Sequence, residues 1–217
     1  MSLDRQHSFW GSLSPLGGLI GAGLLVMASG RLSWAITISG SLLWVYGFTA
    51  FSYYLLSSLV GKKFFPVCGR EAVYICLASF WGSIYIFLFW LLSPFAAMEV
   101  FMLLLLVPLY SVSNLYTQHT ALEPGSSDIS ENAAGALSQA AVLICLLILF
   151  SIIRESLSYC SLSFPGMYDG MITIMYFNEN SFFPIEIFST SAGALLLLGY
   201  IICLYQYTKS FIKPGDN

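Results

Sequence analysis

The residues of this chain that could do chemistry are few and scattered. Arg154 and Glu155 stand side by side near the end of a long apolar run. Ionisable groups are costly at that depth, and where they occur they commonly mark an ion path or a subunit contact. Adjacent residues diverge by about 100° around a helix, so the two side chains are poorly placed to pair with each other. Each needs its own partner or the membrane interface, where a snorkelling anchor is the structural alternative. A second group joins proline to small polar side chains: Ser14 and Pro15 in the first apolar run, Pro108, Ser113 and Asn114 in the fourth. Proline removes a backbone donor and disturbs a helix. Carbonyls released there, with hydroxyls and a carboxamide nearby, could line a midplane site for an ion or polar solute. Hydrogen bonding between helices is the structural reading of the same residues. Cys68, Cys76, Cys145, Cys160 and Cys203 show no CxxC and no close pairing with His7 or His119, which gives no zinc or redox motif. Cys76, Cys145 and Cys203 lie in apolar runs and are expected to pack as small hydrophobes. There is no Walker motif, no GxGxxG after a strand, no HExxH and no Ser-His-Asp cluster. No catalytic, cofactor-binding or metal-ligating residue is therefore assigned, and autonomous catalysis is not expected.

Holding such residues in place falls to helices in a bilayer. Of the 217 residues 58% are hydrophobic and only 9% charged, with a mean hydropathy of +0.80. Soluble domains carry about a quarter charged residues, so this composition defines an all-α integral membrane protein. A net charge of -3 offers no basic footprint for nucleic acid. At roughly 20 residues per span, there is room for six or seven helices and little besides. The apolar runs lie at about 9–29, 32–60, 71–92, 97–117, 133–157 and 189–207. The first is too rich in Gly and Pro over 11–18 for a regular helix, and a signal peptide is the less favoured reading of it. Residues 118–132 read as a solvated loop, and 158–186 as a long loop with an interfacial element. Glu71 and Glu99 fall at span starts, where helix N-termini favour anions. The five tryptophans read mostly as lipid-facing bulk or interfacial belt.

Six spans put both termini on one side with Arg5, Lys62, Lys63, Arg70, Lys209 and Lys213, leaving Arg31 and Arg154 opposite. That asymmetry makes both termini cytoplasmic in an inner (plasma) membrane, with the protein crossing many times. Three spans precede Pro94 and three follow it. An odd number forces the second half to enter from the other face, which is the arithmetic of an inverted repeat. The chain is thus expected to be a single membrane domain over 1–217, with repeats at about 9–93 and 97–209. Spans one and four become equivalents, both broken by proline and facing each other at mid-depth.

From Pro108 onward the order is Pro108-Leu109, Asn114, a loop, a small-residue-rich span ending Arg154-Glu155-Ser156-Leu157, then Glu186-Ile187-Phe188 and Ala192-Gly193-Ala194. This resembles the Rnf/Nqr membrane-subunit family, and within it the RnfE/NqrD branch. In the first half the likeness rests on Leu13-Ser14-Pro15-Leu16. The resemblance implies a six-helix subunit of an ion-pumping complex that moves electrons between NADH and ferredoxin or quinone. It also implies pairing with a six-helix relative, each member giving two cysteines to a shared iron–sulfur cluster. Here Ser14 and Asn114 (or Leu115) stand at those cysteine positions. Hydroxyl and carboxamide oxygens are poor donors to sulfide-rich iron, so the cluster and the flavins are expected in partner subunits. This chain then acts as a scaffold or ion-path wall. A small inverted-repeat secondary transporter is the alternative.

Overall fold

The computed structural model describes residues 15–60, 70–121, 129–166, 171–176 and 185–212. Its elements in order are α1 (Pro15–Ala28), α2 (Leu32–Val60), α3 (Arg70–Leu92), α4 (Pro94–Ala121), α5 (Ile129–Tyr159), β1 (Ser161–Pro165), β2 (Met171–Tyr176), a 3-10 turn (Glu186–Ser189) and α6 (Ser191–Ile212). Five of these helices, α2 to α6, are long and apolar enough to cross a membrane, which makes the chain a helical membrane protein. Six spans are expected from the sequence; among the described residues five are found. The 14 residues of α1 extend about 21 Å at 1.5 Å each, short of a hydrocarbon core of about 30 Å, and the earlier part of that run lies outside the described residues.

Helix α2 is the centre of the bundle. Ala35, Ile38, Leu42, Val45 and Tyr46 are buried along it at helical spacing, and it packs on α3, α4 and α5. Its seam with α3 is aromatic: Phe48 stacks on Trp81 with centroids 4.6 Å apart, and the Trp81 indole donates to Ser52 Oγ at 2.8 Å. Trp44, its ring edge-on to Trp81 with centroids 6.4 Å apart, and Trp81 thus join helices instead of facing lipid, a role that only their cross-helix partners reveal. Cys76, Cys145 and Cys203 depart from expectation in the other direction. They lie exposed on α3, α5 and α6, because these helices bury one face only.

Helix α1 packs on α4, with the Tyr110 ring against Gly21. The two helices therefore face each other, but α4 is not broken. It runs uninterrupted from Pro94 to Ala121 with Pro108 inside. The proline ring is received at Gly82 of α3, where an added Cβ would come within 2.5 Å of Pro108 Cγ, and the Pro108 carbonyl accepts from Ser111 Oγ at 2.8 Å. Helix α3 thus makes room for the ring; the carbonyl that Pro108 deprives of its helical donor is that of Leu104, four residues earlier, and the Ser111 bond to the Pro108 carbonyl does not replace that donor. Pro15 is the first residue of α1, a position that suits its fixed φ and missing N–H; within the described residues it starts a helix and does not interrupt one. The two halves also differ in packing. Helix α3 lies against α2 and α4, whereas its would-be counterpart α6 touches mainly α1 and the 3-10 turn.

The long loop contains an antiparallel hairpin, whose strands are the only ones among the described residues. Strand β1 pairs with β2 from Ser161↔Tyr176 to Pro165↔Met171, with an irregularity after Leu162 that leaves Ile174 as a bulge. The chain enters it through Cys160, whose φ of 49 is the left-handed conformation that commonly ends a helix. The sequence run 171–177 is too short to span, and its β-branched and long apolar residues suit a strand.

Candidate functional site

The ends of α1 and α5 and the starts of α2 and α6 meet at one end of the bundle, under the hairpin, and Arg154 and Glu155 lie at the centre of that junction. Both are buried, at 2% exposure. Arg154 donates from Nε to the Phe188 carbonyl at 2.7 Å. Its Nη1 donates to the Val26 carbonyl at 2.7 Å and to Ser29 Oγ at 2.9 Å. Its Nη2 donates to the carbonyls of Ser189 at 2.9 Å and Thr190 at 3.1 Å. A guanidinium has five N–H donors in a rigid fork, and here each has an oxygen acceptor.

The acceptors are not arbitrary. Val26 is in the last turn of α1, and Phe188, Ser189 and Thr190 close the 3-10 turn. The carboxyl-terminal end of α1 carries partial negative charge that a cation answers; the Val26 carbonyl also accepts Ser29 Oγ at 3.2 Å and the Thr190 carbonyl also accepts Ala194 N–H of α6 at 3.1 Å, so at these two the guanidinium is a second donor. Glu155 does the converse. Its Oε2 accepts the Leu32 N–H at 2.7 Å, the first N–H of α2, where the helix end is partially positive. The next donor, Ser33 N–H, reaches Ser163 Oγ of β1 at 3.5 Å. Trp34 and Ala35 donate to the Arg31 carbonyl, each at 3.1 Å. The first turn of α2 is thereby satisfied.

One dipeptide thus ties down both arms of a helical hairpin. The turn Ser29-Gly30-Arg31 brings the C-terminus of α1 next to the N-terminus of α2, and side chains that diverge around α5 reach one end each. Around them the chain is knitted further. Ile185 N–H donates to the Leu157 carbonyl at 3.0 Å. Thr190 caps α6, its Oγ1 accepting Gly193 N–H at 3.2 Å and donating to the Ile187 carbonyl at 2.7 Å. Gly193 backs so closely onto the Ile187 carbonyl that no Cβ could be accommodated. Ser93 Oγ, between α3 and α4, donates to the Gly166 carbonyl of the hairpin at 2.8 Å.

The other sequence-derived residues are not gathered there. Ser14 lies outside the described residues; Ser113 and Asn114 fall on the continuous part of α4. Glu99 accepts the Trp34 indole at 3.2 Å on the exposed side, so its partner is a side chain of α2, not a helix end. For Arg154 and Glu155, the ion-path or subunit-contact role meets a specific obstacle: the Arg154 donors are already committed inside the chain. What sequence reasoning missed is the partner set, made of backbone atoms that no side-chain motif records. Ser29 and Thr190, polar residues at span ends, were the visible signal.

Among the described residues no group of three or more His, Cys, Asp or Glu side chains is placed to hold a metal ion. Cys76, Cys145 and Cys203 sit on the outer faces of three helices, a donor set that does not fit an iron–sulfur cluster. No family model, no curated protein and no solved structure matches the chain.

Proposed function

We propose that this protein is a membrane subunit of an Rnf/Nqr-like ion-translocating electron-transport complex, of the RnfE/NqrD type. In it the chain serves as scaffold or ion-path wall and supplies no iron–sulfur ligands of its own. The observation that carries the reading is convergence. Three of the segments that carry the resemblance interlock in one junction: Arg154-Glu155-Ser156-Leu157, some thirty residues before the other two, sets Arg154 on Phe188 of Glu186-Ile187-Phe188, and Gly193 of Ala192-Gly193-Ala194 backs onto Ile187. A likeness made of residues that must coexist for the fold to close is better support than the same likeness scattered over a surface. Its partners on this reading are the other Rnf/Nqr-like subunits, with a six-helix relative beside it in the inner membrane and flavins and iron in those partners. Both termini face the cytoplasm, which leaves the hairpin on the outer side, in keeping with the Lys and Arg asymmetry.

Purification of the native protein in mild detergent, with metal analysis and identification of what comes with it, tests this. The expected result is co-purification with flavin- and iron-bearing proteins, and no stoichiometric iron once the chain is isolated. A chain that purifies alone or as a homodimer and moves a solute in vesicles would replace the reading with the transporter.

A further inference from the structure

The hairpin and Arg31 together have the chemistry of a lipid-binding element. A surface strand of a sheet with one face in water alternates apolar and polar residues. In β2, Ile172, Thr173, Ile174, Met175 and Tyr176 are exposed in succession, with Ile174 at 59% and Tyr176 at 79%. A protein covering one face would leave apolar side chains of the other in water. A lipid interface covers both faces, and it is where tyrosine is enriched. Full immersion is excluded by the backbone groups on the outer edge of a two-stranded sheet, so the strand belongs at headgroup level. Arg31 supplies the charge there. Among the described residues its guanidinium donates from Nη1 to the Met171 thioether at 2.8 Å and lies 5.4 Å from the centroid of the Tyr159 ring. Neither partner is an anion and a thioether is a weak acceptor, in contrast to the five oxygens around Arg154. A phosphate oxygen is the acceptor such a fork matches best.

We propose that the β1–β2 hairpin lies in the interface of the leaflet at this end of the bundle, with Arg31 holding the phosphate of a phospholipid whose chains lie against β2. The proposal rests on the membrane fold alone and is indifferent to which complex the protein joins. The full chain is placed in nanodiscs of phosphatidylcholine and phosphatidylglycerol carrying a phospholipid with a diazirine in its acyl chain. After irradiation, adducts are mapped by mass spectrometry. Adducts are expected on β2 and on the exposed face of α3 at Phe87 and Leu91, the latter reporting an intact bundle. Arg31→Gln should lower the β2 yield about fivefold and leave α3 unchanged, and Arg31→Lys should retain most of it. Raising salt, which screens the phosphate contact, makes the same comparison on the unaltered chain if Arg31→Gln fails to fold. Labelling of α3 without β2, or crosslinks from β2 to protein in place of lipid, would overturn the proposal. A β2 yield indifferent to both Arg31→Gln and salt would remove Arg31 from it.

Discussion

Arg154 is the residue whose replacement should be felt most, and the order of the replacements distinguishes its geometry from its charge. Arg154→Met deletes all five hydrogen bonds. Bonds from a charged donor are worth about 1.5–3 kcal/mol each in isolation. All five share one side chain and one desolvation cost, so the sum overshoots, and the loss should fall near the ~3–5 kcal/mol typical of breaking a buried ionic contact. Arg154→Lys keeps the charge but has three donors, so at least two of the five acceptors lose their partner, at about 1 kcal/mol each. The expected ladder is Arg above Lys by ~2 kcal/mol and above Met by ~3–5 kcal/mol. Reversible unfolding in mixed micelles, titrated with a denaturing detergent, measures it. A double-mutant cycle with Ser29→Ala localises it: Ser29→Ala should cost more in the parent than beside Arg154→Met, where only the Ser29 Oγ bond to the Val26 carbonyl at 3.2 Å is lost, a coupling of ~0.5–1 kcal/mol. Stability at or above the parent for Arg154→Met would mean that desolvating the guanidinium outweighs its bonds, as happens for some buried ion pairs. That result would refute the clamp as a stabilising device.

Glu155→Gln keeps an oxygen for the Leu32 N–H but loses the charge at the α2 N-terminus, and should cost about 1 kcal/mol in the same titration; Glu155→Ala should cost more, about 2 kcal/mol. Gly193→Ala and Gly82→Ala would each force a methyl into occupied space and should destabilise by ~1–3 kcal/mol, whereas Gly23→Ala and Gly199→Ala, which meet nothing, should be neutral or stabilising. Accessibility labelling of cysteines introduced at Asp169 and Asn217 should report opposite sides of the membrane; the same side for both would mean that the span count is wrong.

The helices were legible because their signal is composition, which a bilayer reads directly. Leu32 to Val60 carries no charge, and α2 has those bounds. Pro108 shows where the same reasoning fails. A proline at the centre of a span looks like a break because its missing donor is visible in the chain, while the glycine that makes room for its ring is 26 positions earlier on another helix. The hairpin was hidden for a related reason. Strand and interfacial loop share a short apolar run with turn residues on either side, and periodicity separates them only when one face is wet. In β2 neither face is buried, so there was no alternation to find.

The junction carries the same lesson into the site. That Arg154 and Glu155 point apart follows from helix geometry. What they point at does not, because six of the seven bonds that fix the dipeptide and the turn after it, those of Arg154, Glu155 and Ile185, end on a backbone atom at one end at least, and backbone atoms are the same at every residue. An adjacent Arg-Glu pair at the end of a membrane helix can therefore be read in physical terms. The cation can serve a carboxyl-terminal helix end and the anion an amino-terminal one whenever a tight turn brings both to the same place. That condition is met here by Ser29-Gly30-Arg31, a three-residue link between two apolar runs. The pairing of such a dipeptide with such a turn, 123 positions apart between Leu32 and Glu155, is the sequence pattern that would have located this site, and it requires neither residue to move an ion.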